Sequence, residues 1–347
     1  MASEERKGKM ITPKKLTLAH LPTPIENIRF RTSSSELRLA GTSRNDIKNE
    51  YEFLIKRDDY TGSDFLGNKI RKLEYLLYEA KKLRSEIVFT CGGDQSNHAR
   101  ATASAAAKLG FKTKLFLWGE KNKNADGNFF LDKMYGAEIV YLNKKEFENV
   151  DEIMFEERKK LVKKGKQVYV IPAGGSSTLG IWGYISFVNE LKKQIDLQSI
   201  EGILMACGSG GTAAGLLAGS ALYKSKLKIF AVNVLRPKEE IKKKILQLAE
   251  GAVLDYKLRC KINESQLDVI DSYSKEGYKN ISDDKLKLIS DFAASTGILL
   301  DPAYTGKAFC AYNDLFLQKG KGKTIIFLHT GGIYGTFIKR NSYLKFA

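Results

Sequence analysis

The sequence predicts an α/β protein built on two open, twisted parallel sheets. Three observations carry that reading. Short apolar runs of strand type alternate with helix-period segments along the chain. Those runs are continuous rather than alternating, as in strands covered by helices on both faces. Four strand-to-helix junctions place glycine beside small hydroxyl or amide residues, a composition suited to ligand loops at the carboxyl ends of parallel strands.

Taken in order, residues 1–15 read as a loose basic leader, and Pro22 and Pro24 keep 20–26 extended. A strand at 51–57 ends in the turn Asp58-Asp59-Tyr60-Thr61-Gly62-Ser63. A helix from 69 to about 83 follows. Next come a buried strand at 87–90 and an Ala-rich helix at 99–109, closed by Gly110. A strand at 114–118, a helix from 127 to about 135, a strand at 137–142, one long amphipathic helix at 145–164 and a strand at 168–171 continue the alternation. The later part reads as helix 184–194, strand 202–207, helix 213–223, strand 228–234, helices 237–250 and 282–295, and a last strand at 323–329. No repeat of fixed period appears.

The length, 347 residues, suggests two domains. The net charge of +17 raises a nucleic-acid partner, but the basic runs, such as Lys238-Glu239-Glu240-Ile241-Lys242-Lys243-Lys244, are mixed with acids and lack interleaved aromatics. They read as solvated faces, while a positive field favours anionic ligands. Cys91, Cys207, Cys260 and Cys310 are widely spaced, with no metal-ligand pattern, and read as free thiols in a reducing compartment. No apolar run follows the charged N-terminus and none approaches the roughly 18 residues of a membrane span. The expectation is a cytoplasmic protein without nucleic-acid or membrane partners and without a metal.

The chemistry centres on Gly67-Asn68-Lys69-Ile70-Arg71-Lys72-Leu73-Glu74. A lysine at a helix start beside other cations has its ammonium form disfavoured, and a neutral amine can form a Schiff base. Taken alone, the same residue is one of 57 Lys and Arg side chains, most of them solvated. The loop Gly208-Ser209-Gly210-Gly211-Thr212 is the best phosphate cradle, with backbone N–H groups at a helix N-terminus. It lacks the Lys-Ser/Thr of a P-loop, and no ribose-binding acid follows the next strand, so it suits one phosphate group rather than a dinucleotide. A tight turn without ligand is the alternative. Gln95-Ser96-Asn97 can cap the Ala-rich helix, and the same groups can bind a substrate carboxylate. Both roles are compatible. His98 and His329 read as packed, hydrogen-bonded side chains rather than triad or metal residues.

Together these segments resemble the fold-type II pyridoxal-phosphate enzymes, whose architecture is that of the tryptophan synthase β subunit. More narrowly, the strings from Gly67 to Glu74 and Gly92-Gly93-Asp94-Gln95-Ser96-Asn97-His98 resemble the 1-aminocyclopropane-1-carboxylate (ACC) deaminase and D-cysteine desulfhydrase family. The resemblance runs from Leu21-Pro22-Thr23-Pro24 to Thr330-Gly331-Gly332. It implies that pyridoxal 5'-phosphate is borne by Lys69, with its ring 3-oxygen at Asn97 and its phosphate at Gly208, Ser209, Gly210, Gly211 and Thr212. It implies that Ser96, with Gln95 and Asn97, holds the substrate carboxylate, that Tyr304 of Asp301-Pro302-Ala303-Tyr304 lies near the reacting end of the substrate, and that Tyr278 is a second active-site tyrosine. It further implies a small domain, 75–175, inserted in a large cofactor-binding domain, 1–74 and 176–347, and a homodimer.

Two positions divide the family. ACC deaminases carry Glu after the late tyrosine, where it keeps the pyridine nitrogen protonated; this chain has Thr305. They carry Leu where this chain has Thr330. Both features place the chain on the desulfhydrase side, as a lyase releasing pyruvate, ammonia and hydrogen sulfide from D-cysteine. ACC deaminase, or a lyase for another β-substituted amino acid such as cysteate, is the alternative. A polar insertion at 33–49 and the Lys-rich segment 237–281 depart from the family pattern and bear on substrate choice.

Overall fold

The computed structural model describes residues 9–31, 50–119, 125–278 and 280–346; the insertion expected at 33–49 lies outside them. Among these residues the chain runs β1 (Ile25–Arg31), β2 (Glu50–Arg57), α1 (Lys69–Lys82), β3 (Ile87–Gly93), α2 (Asn97–Lys108), β4 (Lys112–Trp118), α3 (Gly127–Met134), β5 (Glu138–Leu142), α4 (Lys144–Glu148), α5 (Val150–Lys163) and β6 (Val168–Val170). It continues through α6 (Trp182–Gln194), β7 (Gly202–Cys207), α7 (Gly211–Leu222), β8 (Lys228–Asn233), α8 (Lys238–Asp255), β9 (Leu267–Ile270), α9 (Asp283–Thr296), α10 (Thr305–Tyr312), β10 (Ile325–His329) and α11 (Arg340–Tyr343).

Two sheets result, of order β1-β2-β10-β7-β8-β9 and β5-β4-β3-β6. The second is parallel throughout. The first is parallel except for its edge, where β1 runs antiparallel to β2 with Ile25 opposite Lys56. The sequence pattern missed β1 because its residues are mostly part-exposed. Cross-strand charge supports it: Arg29 Nε sits 3.0 Å from Glu52 Oε1.

Strand β7 shows why the apolar runs are continuous. Its side chains alternate between faces. Ile203 and Met205 pack in a core with Ile185, Phe187 and Leu216, while Leu204 and Ala206 pack in another with Phe53, Phe292 and Phe309. In the second sheet Phe89 and Phe116 meet Met154 of α5, and Leu115 and Leu117 meet Ala99 and Ala103 of α2 on the other face. Small alanines let α2 lie close to the sheet.

One expectation is corrected, and two further elements appear that the sequence pattern did not show. The long helix at 145–164 is two helices, α4 and α5, because Asn149 (φ −108°, ψ 24°) leaves the helical region; asparagine competes with helix hydrogen bonding through its own side chain. The four-residue β9 is too short to stand out. Helix α10 went unseen because all eight of its residues are buried, so it has no polar face and no amphipathic period.

Candidate active site

Lys69 opens α1, and the turn before it fixes where it stands. Gly67 has φ +106°, and a Cβ there would lie 2.5 Å from Thr330 O. Only glycine lets this turn press against the end of β10, where Asn68 N donates to Thr330 O at 3.0 Å. Asn68 Nδ2 donates to Thr212 Oγ1 at 3.0 Å, and its Oδ1 accepts from Lys69 Nζ at 2.8 Å. Burial in the cleft pushes the Lys69 ammonium down to about 8; the Arg100 guanidinium pushes the same way, and Asp301 opposes it.

The two cations that follow have separate tasks. Arg71 is buried, with Nη2 and Nε on the Asp58 carboxylate at 2.7 and 2.9 Å and Nη1 on Glu190 Oε2 at 2.8 Å. Lys56 Nζ meets Glu190 Oε1 at 2.7 Å. This buried network ties α1 to β2 and α6. Lys72, one helical turn after Lys69, points the other way, donating to Gly174 O at 3.2 Å and lying 3.5 Å from Ser176 Oγ. Burial first, then the neighbouring Lys69 charge, holds its ammonium well below the usual lysine range. Such a group gains by receiving an anion.

The glycine-rich loop after β7 meets that lysine. Gly210 has φ +83° and begins α7. A Cβ on Gly211 would sit 2.4 Å from Ser176 Oγ and 2.8 Å from Lys72 Nζ, and one on Gly174 would sit 2.1 Å from Ser209 Oγ. The Ser176 and Ser209 hydroxyls are 2.8 Å apart. A helix N-terminus, two hydroxyls and an ammonium therefore converge at glycines whose missing Cβ atoms leave them room, a donor set that suits a phosphate dianion.

From the other sheet, Ser96 caps α2, its Oγ accepting from Ala99 N at 3.2 Å. Asn97 Oδ1 accepts from Asn128 Nδ2 at 2.9 Å. His98 Nε2 lies 2.8 Å from Thr90 Oγ1, whose proton goes to Ile171 O at 2.9 Å. A hydroxyl has one proton to give, so Nε2 carries the imidazole proton and Nδ1 the lone pair. Burial, then Lys69 and Lys72, keeps the ring neutral.

The tyrosines close the opposite end. Tyr304 Oη donates to Tyr278 Oη at 3.1 Å, and the rings stand edge to face, 5.4 Å apart at 72°. Burial raises the Tyr278 phenol to about 12 and the Tyr304 phenol well above its ordinary value, so both keep their protons at neutral pH.

A cavity of about 540 Å³ lies between the sheets. Lys69, Ser96, Asn97, Tyr278, Tyr304 and Thr330 line it, as do Gly208, Ser209, Gly210 and Thr212. Gln95, Gly211 and Thr305 are not in its lining. Gln95 turns to the start of α3, donating to Asp126 O and accepting from Asn128 N, both at 3.0 Å. The Thr305 hydroxyl donates to Asp301 Oδ1 at 2.7 Å and accepts from Asp301 N at 2.8 Å. Sequence reasoning missed Asn68, Lys72, Ser176 and Asp301. For Lys72 the available signal was its three-residue spacing from Lys69, which puts both on one helix face.

A family model described as pyridoxal-phosphate-dependent enzyme matches residues 18–331. A Thermotoga maritima protein provisionally named ACC deaminase is 44% identical over 289 residues, 83% of this chain and 90% of that protein. The D-cysteine desulfhydrase of Klebsiella pneumoniae is 33% identical over 295 residues, 82% of this chain and 88% of the relative. The chain belongs to the ACC deaminase/D-cysteine desulfhydrase family of pyridoxal-phosphate-dependent enzymes.

The family also includes an Arabidopsis thaliana mitochondrial protein named as a bifunctional D-cysteine desulfhydrase/ACC deaminase, 35% identical over 337 residues, 93% of this chain and 79% of the relative. A crystal structure described as an ACC deaminase homologue superposes with a TM-score of 0.83 at 33% identity, covering 96% of this chain and 97% of the other. The fold is therefore fold type II, and the cofactor is pyridoxal phosphate. The cleft fits it: the Lys69 amine and Gly208, Ser209, Gly210 and Thr212 of the glycine-rich loop line the same cavity. Among the described residues no helix is long and apolar enough to cross a membrane, and no group of three or more His, Cys, Asp or Glu side chains could hold a metal.

Proposed function

We propose that the protein is a D-cysteine desulfhydrase, a lyase that takes D-cysteine and water to pyruvate, ammonia and hydrogen sulfide. The observation that carries this reading is Thr305. A carboxylate at that position would stabilise a protonated ring nitrogen and so a strong electron sink. Thr305 is neutral, and its one proton is already given to Asp301. Asp301 itself is saturated, accepting from Thr305 N, Ala303 N and Tyr304 N as well. Without a carboxylate in place of Thr305 the sink stays moderate, which suffices when the leaving group is a thiol. Opening an unactivated cyclopropane demands more.

Pyridoxal phosphate, when bound, supplies the conjugated electron sink; the chain's residues do the rest. Lys69 Nζ, whose ammonium form burial disfavours, takes the proton from the substrate Cα as the free amine. Ser96 Oγ and the first N–H groups of α2 hold the substrate carboxylate, and Asn97 orients the ring. Lys72 Nζ, Ser176, Ser209 and Thr212 hold the phosphate. Tyr304 Oη donates to Tyr278 Oη, which leaves the Tyr278 proton free, so the tyrosine pair can give a proton to the departing sulfur. The protein works as a homodimer in this reading, in a reducing, cytoplasmic setting that keeps its four cysteines as thiols.

The second reading, ACC deaminase, is favoured by the name and 44% identity of the Thermotoga maritima relative. The deciding experiment compares sulfide and pyruvate release from D-cysteine with ammonia and 2-oxobutyrate release from ACC, with L-cysteine and cysteate as controls. Faster turnover of ACC than of D-cysteine would overturn the proposal.

A further inference from the structure

We propose that Lys307 is a positioning residue for the active-site tyrosine pair, resting on the reading that Tyr278 and Tyr304 face the substrate. Lys307 lies on α10, three residues after Tyr304, on the same side of the helix. Its side chain has no solvent exposure. Its Nζ donates to Gly277 O at 2.7 Å and to Ser274 Oγ at 3.0 Å, and lies 3.5 Å from Tyr278 O. All three acceptors belong to the segment between β9 and α9 that carries Tyr278. One short helix therefore supplies Tyr304 and also the clamp that sets its partner.

The rest of that segment is tied by other elements. Lys285 of α9 donates to Tyr273 O at 2.9 Å and to Glu276 Oε1 at 2.7 Å, and Ser274 Oγ donates to Val234 O at 3.2 Å. Beyond Gly277, at φ +86°, the chain turns so that the Tyr278 ring reaches the second sheet. A Cβ on Gly93 would lie 3.8 Å from Tyr278 Cε1 and 3.7 Å from Trp118 Cε3. Tyr278 thus spans the cleft at the end of a glycine-hinged arm, and the Lys307 ammonium grips that arm at the hinge.

A stability role does not account for this lysine. Glu276 and Asp301 favour its charge and Lys285 opposes it. Yet among the described residues its Nζ hydrogen-bonds only carbonyls and a hydroxyl, which repay a buried ammonium less well than a carboxylate in contact would. Methionine would fill the same space without the desolvation cost. The arrangement makes sense if what is gained is the position of Tyr278.

The test uses the holoenzyme in four forms: Lys307→Met, Lys307→Arg, Tyr278→Phe, and Lys307→Met with Tyr278→Phe. Lys307→Met is expected to keep or raise the thermal midpoint while lowering kcat/KM by about 10- to 100-fold, the range for losing a hydrogen bond to a charged group. Amide hydrogen exchange in peptides spanning 271–278 is expected to quicken, and Lys307→Arg to recover most of both losses. Tyr278→Phe should cost nothing further once Lys307→Met is in place. Unchanged exchange, or losses that multiply in the double variant, would overturn the proposal. If Lys307→Met does not fold, Lys307→Gln replaces it in the same cycle with the same expectations. If the wild-type protein turns over no candidate amino acid, the functional reading fails by itself and the exchange comparison still decides the role of Lys307.

Discussion

Asn68 Nδ2 donates to Thr212 Oγ1 at 3.0 Å, joining the residue before Lys69 to the last residue of the Gly208–Thr212 loop. The lysine and the loop are thus held in one fixed relation before any ligand arrives. Asn68→Ala is expected to loosen that relation without removing either group. Cofactor affinity should fall by about tenfold, the loss of roughly one buried hydrogen bond, as measured by equilibrium dialysis. Lys69→Ala, by contrast, should abolish the visible absorption band of lysine-bound pyridoxal phosphate and all turnover.

In the proposed binding mode Lys72 supplies a charge to the phosphate. Lys72→Met is expected to weaken cofactor binding by roughly 10- to 100-fold, the value of a charge-assisted hydrogen bond. The shape of the pocket should survive, so excess cofactor should restore much of kcat. A variant that stays fully loaded after dialysis would show that the Gly208–Thr212 loop holds the phosphate alone.

The depressed Lys69 ammonium has a direct pH consequence. Protonated lysine cannot attack a carbonyl, so the rate at which apoprotein captures pyridoxal phosphate should rise with pH and level off above about 8. An ordinary lysine would keep the rate rising towards 10.5, its unperturbed value. Stopped-flow absorbance across pH 6–10 separates the two.

The network beneath α1 should dominate acid sensitivity. Burial pushes the Glu190 carboxyl up, but Arg71 and Lys56 outweigh it and hold it at about 2. Its folded value lies below its unfolded one, so its stabilisation is complete above the unfolded value and is lost as pH falls through about 2. Arg71→Met leaves two buried carboxylates without their main partner and is expected to cost about 3–5 kcal/mol, read from urea denaturation at pH 7.

Substrate choice is tested at Thr305 and Thr330. Thr305→Glu with Thr330→Leu should lower sulfide release from D-cysteine at least about tenfold, a barrier change of about 1.4 kcal/mol. It should also lower stability, because the new carboxylate meets the buried Asp301. An unchanged rate would remove Thr305 as the basis of the desulfhydrase reading.

Much of this was readable in the residues. The strand–helix alternation survives almost intact because parallel strands covered on both faces must be apolar throughout, as β7 is. Lys69, Ser96 and the glycine loop announced themselves through local strings, since backbone conformation there admits few residue types. What stayed hidden depended on partners distant in the chain. Lys307 and Lys72 look like any of the 57 basic side chains until the fold buries them. Asp301 looks like a turn residue until its carboxylate is seen collecting the N–H groups that open α10. Thr305 was read as a cofactor contact, and only the hydrogen bonds show its proton already committed.

The cavity wall is shared by two sheets, and that gives the ligand a mechanical part. In the binding mode proposed above, a molecule gripped by Lys72 and the Gly208–Thr212 loop on one side and by Asn97 on the other would act as a rivet across a seam. Filling the seam adds binding energy to the closed form alone. Calorimetry should therefore count differently with and without the rivet: one cooperative melting event for the loaded protein, and two, at lower temperatures, once the two halves are free to come apart separately.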